Sequence, residues 1–178
     1  MTPYNNPALL LFAMATQPEY QVRWPVGQDQ LLLVSVGTGM GATFGARGRT
    51  WLSRVGQLPG IFMNGASIGQ DYLCRMGRTT AFGLPIDSEV GTVPKGNGLF
   101  TYVRYNADFG RLKELRTLLE AAGVDASELR ALDAIGLIDR RKLAKLNSTH
   151  RIDELYRLGQ LTGRLADVET HFGGFEPV

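Results

Sequence analysis

The sequence is poor in the residues that mark specialised classes of protein. Its 178 residues include one cysteine, Cys74, so no disulfide can form within the chain. Basic and acidic residues number 19 and 17, and the net charge of +2 is too small to predict binding to nucleic acid. The apolar run from Ala8 to Ala15 is far shorter than the roughly 20 residues that a membrane-spanning helix needs. We therefore expect a soluble, cytoplasmic protein.

Two short apolar runs predict strands in a chain whose pattern is otherwise mostly helical. Residues 31–36, LLLVSV, are typical of a strand that is buried on both faces of a parallel sheet. Residues 99–105 are rich in aromatic and β-branched side chains, which favour strands. The composition, 44% apolar and 20% charged, is that of an ordinary globular domain. The sequence therefore predicts an α/β fold in one domain.

Helical periodicity accounts for most of the remaining chain. It predicts a first helix that begins after a capping Asn5 or Asn6 with Pro7 in its first turn, and a second helix over residues 61–77. The part from Asp108 onward is predicted to be helical throughout, with a long last helix capped by Ser148. Two parallel strands alone leave two open edges and are rarely stable, so we expect them to belong to a larger sheet.

A serine-hydrolase pattern lies at residues 65–69. Gly65-Ala66-Ser67-Ile68-Gly69 matches G-x-S-x-G, in which a serine nucleophile sits on a tight turn between a strand and a helix. His150 and His171 follow in the order that a catalytic triad needs. The preceding residues offer at most four residues of strand, however, whereas a helix accounts for the whole stretch. We expect Ser67 to lie inside a helix, with Gly65 and Gly69 at close-packing positions.

Other motifs have weak support. Residues 36–42, VGTGMGA, fit a dinucleotide-binding loop, but the acidic residue that should bind the ribose is missing, since no Asp or Glu lies between Asp29 and Asp71. Three arginines in that interval, Arg47, Arg49 and Arg54, suit a solvated loop better than an anion site. Neither histidine has a ligand partner at metal-binding spacing. We expect no cofactor and no metal.

Five segments carry a family resemblance: TPYNNPALLLFAMATQ, LLLVSVGTG, QDYLCR, FTYVRYNADF and IDELYRLG. Together, and in this order over nearly the whole chain, they resemble the C-terminal part of bacterial patatin-like phospholipases. The resemblance implies a partial patatin-like fold, with mainly parallel strands (31–36 and 99–105), helices on both sides and a helical C-terminal third. It also implies a lipid acyl hydrolase with a Ser-Asp dyad, acting on a lipid or other acyl ester.

The catalytic motifs of that family are not found in residues 1–178. In the subfamily that the chain resembles, the dyad aspartate lies in an Asp-Gly-Gly motif that runs directly into a segment like TPYNNPA. The oxyanion loop, the nucleophile and the aspartate would all precede Met1. We therefore expect residues 1–178 to be the C-terminal portion of a single patatin-like domain, inactive alone, with no catalytic residue of its own.

The residues expected nearest to the dyad aspartate of a complete enzyme are Tyr4, Asn5, Asn6 and Pro7. Membrane-surface contact and self-association through an unpaired sheet edge are further expected interactions. Two alternatives stay open at this point. One is a non-catalytic module that binds or completes another chain, and the other is an independent serine hydrolase that uses Ser67.

Overall fold

The structure is a computed structural model that describes residues 6–39, 58–76, 79–83, 98–136 and 151–175. The described strands are β1 (Leu32–Val36), β2 (Thr79–Phe82) and β3 (Thr101–Tyr105). The described α-helices are α1 (Ala8–Thr16), α2 (Leu58–Met76), α3 (Leu112–Ala121), α4 (Ala126–Gly136), α5 (Ile152–Gly163) and α6 (Val168–Phe172), with a 3-10 turn at Pro18–Tyr20. The fold is α/β and mostly helical, which confirms the predicted class.

The three strands form one sheet in the order β1-β3-β2. β2 pairs with β3 in parallel, with Thr79 opposite Thr101. The Thr101 N–H donates to the Leu31 carbonyl and the Gly37 N–H donates to the Tyr105 carbonyl, each at 2.8 Å, so β1 also runs parallel to β3. The sequence predicted β1 and β3 but missed β2, which has only four residues. Within the described ranges, β1 has a neighbouring strand on one side only.

The chain divides into two compact units, and the first contains most of the sheet. Its described residues come from Met1–Val36, Val55–Arg104 and Val168–Val178. Helix α1 packs on α2 and β1, and α6 packs on β2. The apolar core consists of Ala8, Leu31, Leu33, Cys74, Phe100 and Tyr102, with Leu9 and Phe12 packed against it. Cys74 is fully buried in this core, as expected for a small apolar side chain.

The second unit takes its described residues from Gly37–Arg54 and Tyr105–Asp167. Helices α3, α4 and α5 pack against one another in pairs. Their inward faces bury Leu112, Leu115, Leu119, Leu129, Leu132, Ile135, Leu158 and Leu161. Arg116 of α3 pairs with Glu120 and also with Asp133 of α4. Helix α3 ends where Gly123 takes a φ of +74°, which confirms the predicted stop.

The prediction of one long last helix is wrong, because the helical conformation is interrupted between α5 and α6. The Leu165 N–H donates to the Thr162 carbonyl and the Ala166 N–H to the Gly163 carbonyl, so the last turn of α5 tightens to i→i+3 bonds and stops. Ser148 and His150 lie outside the described residues. No helix in the described part of the chain is long and apolar enough to cross a membrane.

Candidate functional site

A cluster of polar side chains is buried in the first unit, where α2, β1, β3 and the residue two positions before α1 supply its members. We call it the polar cluster. It consists of Asn6, Ser35, Ser67, Asp71, Arg75, Tyr102 and Arg104, each at most 8% exposed. Burying a polar group destabilises a fold unless the group is hydrogen-bonded or ion-paired. The partners of each side chain in the polar cluster therefore explain why it can be buried.

Asn6 joins the start of α1 to both neighbouring strands. It is 2% exposed. Its side-chain oxygen accepts hydrogen bonds from the Ser35 hydroxyl at 3.0 Å and from the Ala8 backbone N–H at 3.3 Å. Its amide group donates to the Tyr102 hydroxyl at 3.3 Å. The prediction that Asn6 caps α1 with Pro7 in the first turn is wrong, because Pro7 occupies the N-cap position, from which no side chain makes a capping bond. Asn6 instead fixes the chain before α1 against β1 and β3.

Arg104 of β3 connects the sheet to α2. Its guanidinium donates to the Ser35 hydroxyl at 2.6 Å and to the Ser67 hydroxyl at 3.3 Å. Its Nε lies 3.8 Å from a carboxylate oxygen of Asp71, which is close enough for an ion pair. A guanidinium presents five donors in a rigid fork, so one side chain can hold three partners on two elements.

Asp71 is shared between two arginines. Arg75, one helical turn further along α2, donates to both carboxylate oxygens of Asp71 at 3.2 and 3.1 Å. Gly83 leaves room for this arginine, since a Cβ at Gly83 would lie 2.7 Å from Arg75 Nη2. With two arginines and one aspartate, the polar cluster carries one excess positive charge among its own members.

The Tyr102 hydroxyl stays protonated over the ordinary pH range. Burial is the largest cause of a rise in its pKa to about 12, and the nearby charge of Asp71 adds to the rise. The hydrogen bond from Asn6 and the charge of Arg104 act in the opposite direction. The neutral Tyr102 hydroxyl therefore accepts a hydrogen bond from Asn6. It does not exchange its own proton near neutral pH.

Ser67 lies inside α2, which confirms the prediction of a helix at the G-x-S-x-G pattern. Its side chain is 5% exposed and its described hydrogen-bond partner is the Arg104 guanidinium. A guanidinium cannot act as a base, because it carries no lone pair that can take the proton of a serine hydroxyl. Ser67 thus lies within a helix and not on the strand-to-helix turn that a nucleophile needs, and its described partner is not a base.

The expectation that Gly65 and Gly69 are close-packing positions is wrong. A Cβ placed on either residue would meet no atom of the described residues within 4 Å. Both glycines are exposed, because α2 turns its Ser67 and Asp71 side toward the sheet and its glycine side away.

Most of the other residues that the sequence suggested for a site lie outside the described part of the chain. Tyr4, Asn5, His150, Arg47, Arg49 and Arg54 lie outside the described residues, whereas Asn6 and Pro7 are described. His171 is buried in α6, with its ring centroid 4.7 Å from that of Phe82. Across the described ranges, no three His, Cys, Asp or Glu side chains come together as they would to hold a metal ion.

The first glycines of the VGTGMGA stretch have a structural role in the second unit. A Cβ at Gly37 would overlap the side-chain oxygen of Asn106, and the Gly39 N–H donates to that same oxygen at 3.0 Å. Gly39 has a φ of +99° and a Cβ there would lie 2.6 Å from the Phe109 ring. These contacts explain both glycines without a dinucleotide.

Sequence reasoning missed Arg104, Asp71 and Arg75 as members of a site. Asp71 and Arg75 are four residues apart in a predicted helix, which is the spacing of a helical ion pair. Arg104 is a lone charge within an otherwise apolar predicted strand. Together these two features were the available indication of a buried polar contact between helix and sheet.

Comparisons of the chain with protein-family models, with curated proteins and with solved structures return no match.

Proposed function

We propose that this chain is the C-terminal portion of a patatin-like lipid acyl hydrolase and that it supports the catalytic dyad without contributing to it. In this proposal the nucleophile, the oxyanion loop and the dyad aspartate come from a segment that precedes Met1. The substrate of the complete enzyme is a lipid or another acyl ester, reached at a membrane surface.

The observation that carries the proposal is the environment of Asn6. In the resemblance, the dyad aspartate lies a few residues before the TPYNNPA segment, so its loop must be held wherever that segment is held. Asn6 is buried and bonded to Ser35 of β1, to Tyr102 of β3 and to the Ala8 N–H of α1. Three contacts from three elements give Asn6 a defined position, which is the kind of support that a dyad residue a few positions earlier would need.

The edge position of β1 also supports the proposal. Val34 and Val36 are 40% and 76% exposed, so the expectation that residues 31–36 are buried on both faces is wrong. An apolar edge strand is a template for pairing with a further strand. A preceding segment of the same chain, or a second chain, would pair with β1 and cover these valines. The second case corresponds to a non-catalytic module that completes another chain.

The test is to supply the missing segment. A segment from a bacterial patatin-like phospholipase, ending at its Asp-Gly-Gly motif, is fused ahead of Thr2 or co-expressed as a separate chain. Hydrolysis of a short-chain nitrophenyl ester is then measured for the fusion, the mixture and the chain alone. The matched control carries alanine in place of the nucleophile serine of the added segment.

We expect the chain alone to be inactive and the fusion to hydrolyse the ester, with the activity lost in the control. Activity in the mixture as well would favour the module that completes a second chain. A fusion that melts cooperatively but does not hydrolyse the ester would contradict the proposal. Activity of the chain alone that disappears in Ser67→Ala would establish the independent serine hydrolase instead.

A further inference from the structure

The hydrogen bonds that link Arg104 to Asn6 run in one direction. The Arg104 guanidinium has only donors, so Ser35 Oγ accepts at the 2.6 Å contact between them. Asn6 Oδ1 has no proton to give, so the Ser35 hydroxyl donates at the next contact, at 3.0 Å. Ser35 therefore accepts from one neighbour and donates to the other, and Arg104 fixes the direction in which its hydroxyl points.

A second donor fixes the same atom of Asn6. The Ala8 backbone N–H donates to Asn6 Oδ1 at 3.3 Å. It belongs to the first turn of α1, where backbone N–H groups have no acceptor within the helix. With both donors on Oδ1, the Asn6 amide nitrogen faces the Tyr102 hydroxyl, to which it donates at 3.3 Å. The side-chain amide of Asn6 is thus held in one of its two orientations.

Contacts with α2 hold the Arg104 guanidinium itself. Its Nη2 donates to the Ser67 hydroxyl at 3.3 Å, and its Nε lies 3.8 Å from a carboxylate oxygen of Asp71. Because the guanidinium is planar and rigid, these two contacts also set the position of Nη1, which donates to Ser35. The route from α2 to the chain before α1 therefore passes through Arg104, Ser35 and Asn6.

We propose that Ser35 is a positioning residue for the acyl hydrolase site, because it transmits the fixed position of Arg104 to Asn6. This inference rests on the proposed function, in which the dyad aspartate lies a few residues before Asn6 in the same chain. Ser35 acts through Asn6 and not on the substrate. Without the Ser35 hydroxyl, the Asn6 amide and the chain before it shift, and a shift of about 1 Å in a catalytic group can lower the rate about 100-fold.

Ser67 supplies the matched control for Ser35. The two serines are 5% and 8% exposed, and the hydroxyl of each accepts one hydrogen bond from Arg104. Among the described contacts, Ser35 lies between Arg104 and Asn6, whereas Ser67 lies on the α2 side of the guanidinium. Replacing either serine by alanine removes an acceptor of the same guanidinium, so a difference between the two variants reports the link to Asn6.

The first experiment uses the fusion with the segment that ends at Asp-Gly-Gly. kcat and KM for the nitrophenyl ester are measured for the parent fusion, Ser35→Ala, Ser35→Thr and Ser67→Ala, each below its own melting transition. We expect Ser35→Ala to lower kcat about tenfold or more with KM unchanged, because a displaced dyad carboxylate affects the chemical step. Ser67→Ala should keep the parent kcat, and Ser35→Thr, which restores a hydroxyl, should recover most of the loss.

The second experiment needs neither substrate nor added segment. Amide hydrogen exchange at Ala8 is followed by NMR in residues 1–178 and in the same variants. We expect Ala8 to exchange several-fold faster in Ser35→Ala than in the parent, because Asn6 Oδ1 then loses the donor that keeps it beside the Ala8 N–H. Exchange at Ala8 should be unchanged in Ser67→Ala.

Three results would overturn the positioning role while the parent fusion is active. They are an equal loss of kcat in Ser35→Ala and Ser67→Ala, a rise in KM without a change in kcat in Ser35→Ala, and exchange at Ala8 that does not respond to Ser35→Ala. A parent fusion that melts cooperatively but does not hydrolyse the ester is a separate outcome. It contradicts the proposed function, and the positioning role is then rejected with it.

Discussion

The guanidinium of Arg104 donates a hydrogen bond to the hydroxyl oxygen of Ser67 at 3.3 Å. This contact gives the serine of a G-x-S-x-G pattern a structural role. It holds the middle of α2 against β3, in the same cluster that fixes Asn6 at the start of α1. The pattern that most resembles a catalytic motif in this sequence is thus part of the packing of a helix on a sheet.

Replacing Ser67 tests this assignment directly. Ser67→Ala removes one hydrogen-bond acceptor of Arg104, and we expect the free energy of unfolding to fall by about 1 kcal/mol. Urea denaturation measures the loss. Hydrolysis of short-chain nitrophenyl esters should be at background in both the parent and the variant, since the partner of Ser67 among the described residues is a guanidinium. An activity that vanishes with the substitution would contradict the structural role.

Arg104→Met should be among the most destabilising single changes in the described part of the chain. It leaves Ser35 and Ser67 without their donor and removes one of the two arginines beside Asp71. We expect the free energy of unfolding, measured by urea denaturation, to fall by about 2–4 kcal/mol, because the buried Asp71 carboxylate then pairs with Arg75 alone. The matched control is Arg164→Met, whose side chain is 62% exposed in its pair with Glu128. An exposed pair contributes less than about 1 kcal/mol, so equal losses would contradict a buried cluster.

The stability of the fold should decrease as the pH rises from 10 toward 12. Tyr102 has a pKa of about 12 when folded, against an ordinary value of 10.0. Below pH 10 the hydroxyl is neutral in both the folded and the unfolded state, so its full contribution to the free energy of unfolding is present. Above pH 10 the unfolded chain loses this proton first, so the folded state loses on the order of 2 kcal/mol by pH 12.

Tyr102→Phe removes this titration and is the variant that isolates it. It should cost about 1 kcal/mol at neutral pH through the lost hydrogen bond to Asn6, and that deficit should shrink or reverse toward pH 12. Urea denaturation of the parent and the variant at several pH values measures the difference. Tyr20→Phe is the control, since Tyr20 is 47% exposed. A constant difference between parent and Tyr102→Phe across this pH range would refute the prediction.

Two helix glycines should respond oppositely to alanine. Gly123 ends α3 at a φ of +74°, where an alanine is strained, so Gly123→Ala should lower stability by about 1 kcal/mol. Gly159 lies within α5 with open space around it, so Gly159→Ala should raise stability by up to about 1 kcal/mol. Thermal melting of both variants checks the pair, and the same sign in both would contradict these backbone roles.

Local patterns were sufficient for several elements. The strands at 32–36 and 101–105, the helix that contains Ser67 and the stop at Gly123 all follow from a few neighbouring residues. β-branched and aromatic runs favour strands, helical spacing favours helices, and glycine favours a positive φ, whatever the rest of the chain does. The same reasoning located the start of α1 but assigned its cap to Asn5 or Asn6, whereas Pro7 holds that position.

The polar cluster and the orientation of α2 were decided by the tertiary structure alone. The apolar Tyr72 and Met76 of α2 are exposed, whereas the side that faces the sheet carries Ser67, Asp71 and Arg75. The reason is Arg104, which lies 33 residues along the chain from Asp71 and becomes its neighbour only when β3 forms beside β1. A polar helix face is stable against a sheet only where the sheet supplies partners for it, and sequence spacing within the helix does not contain that information.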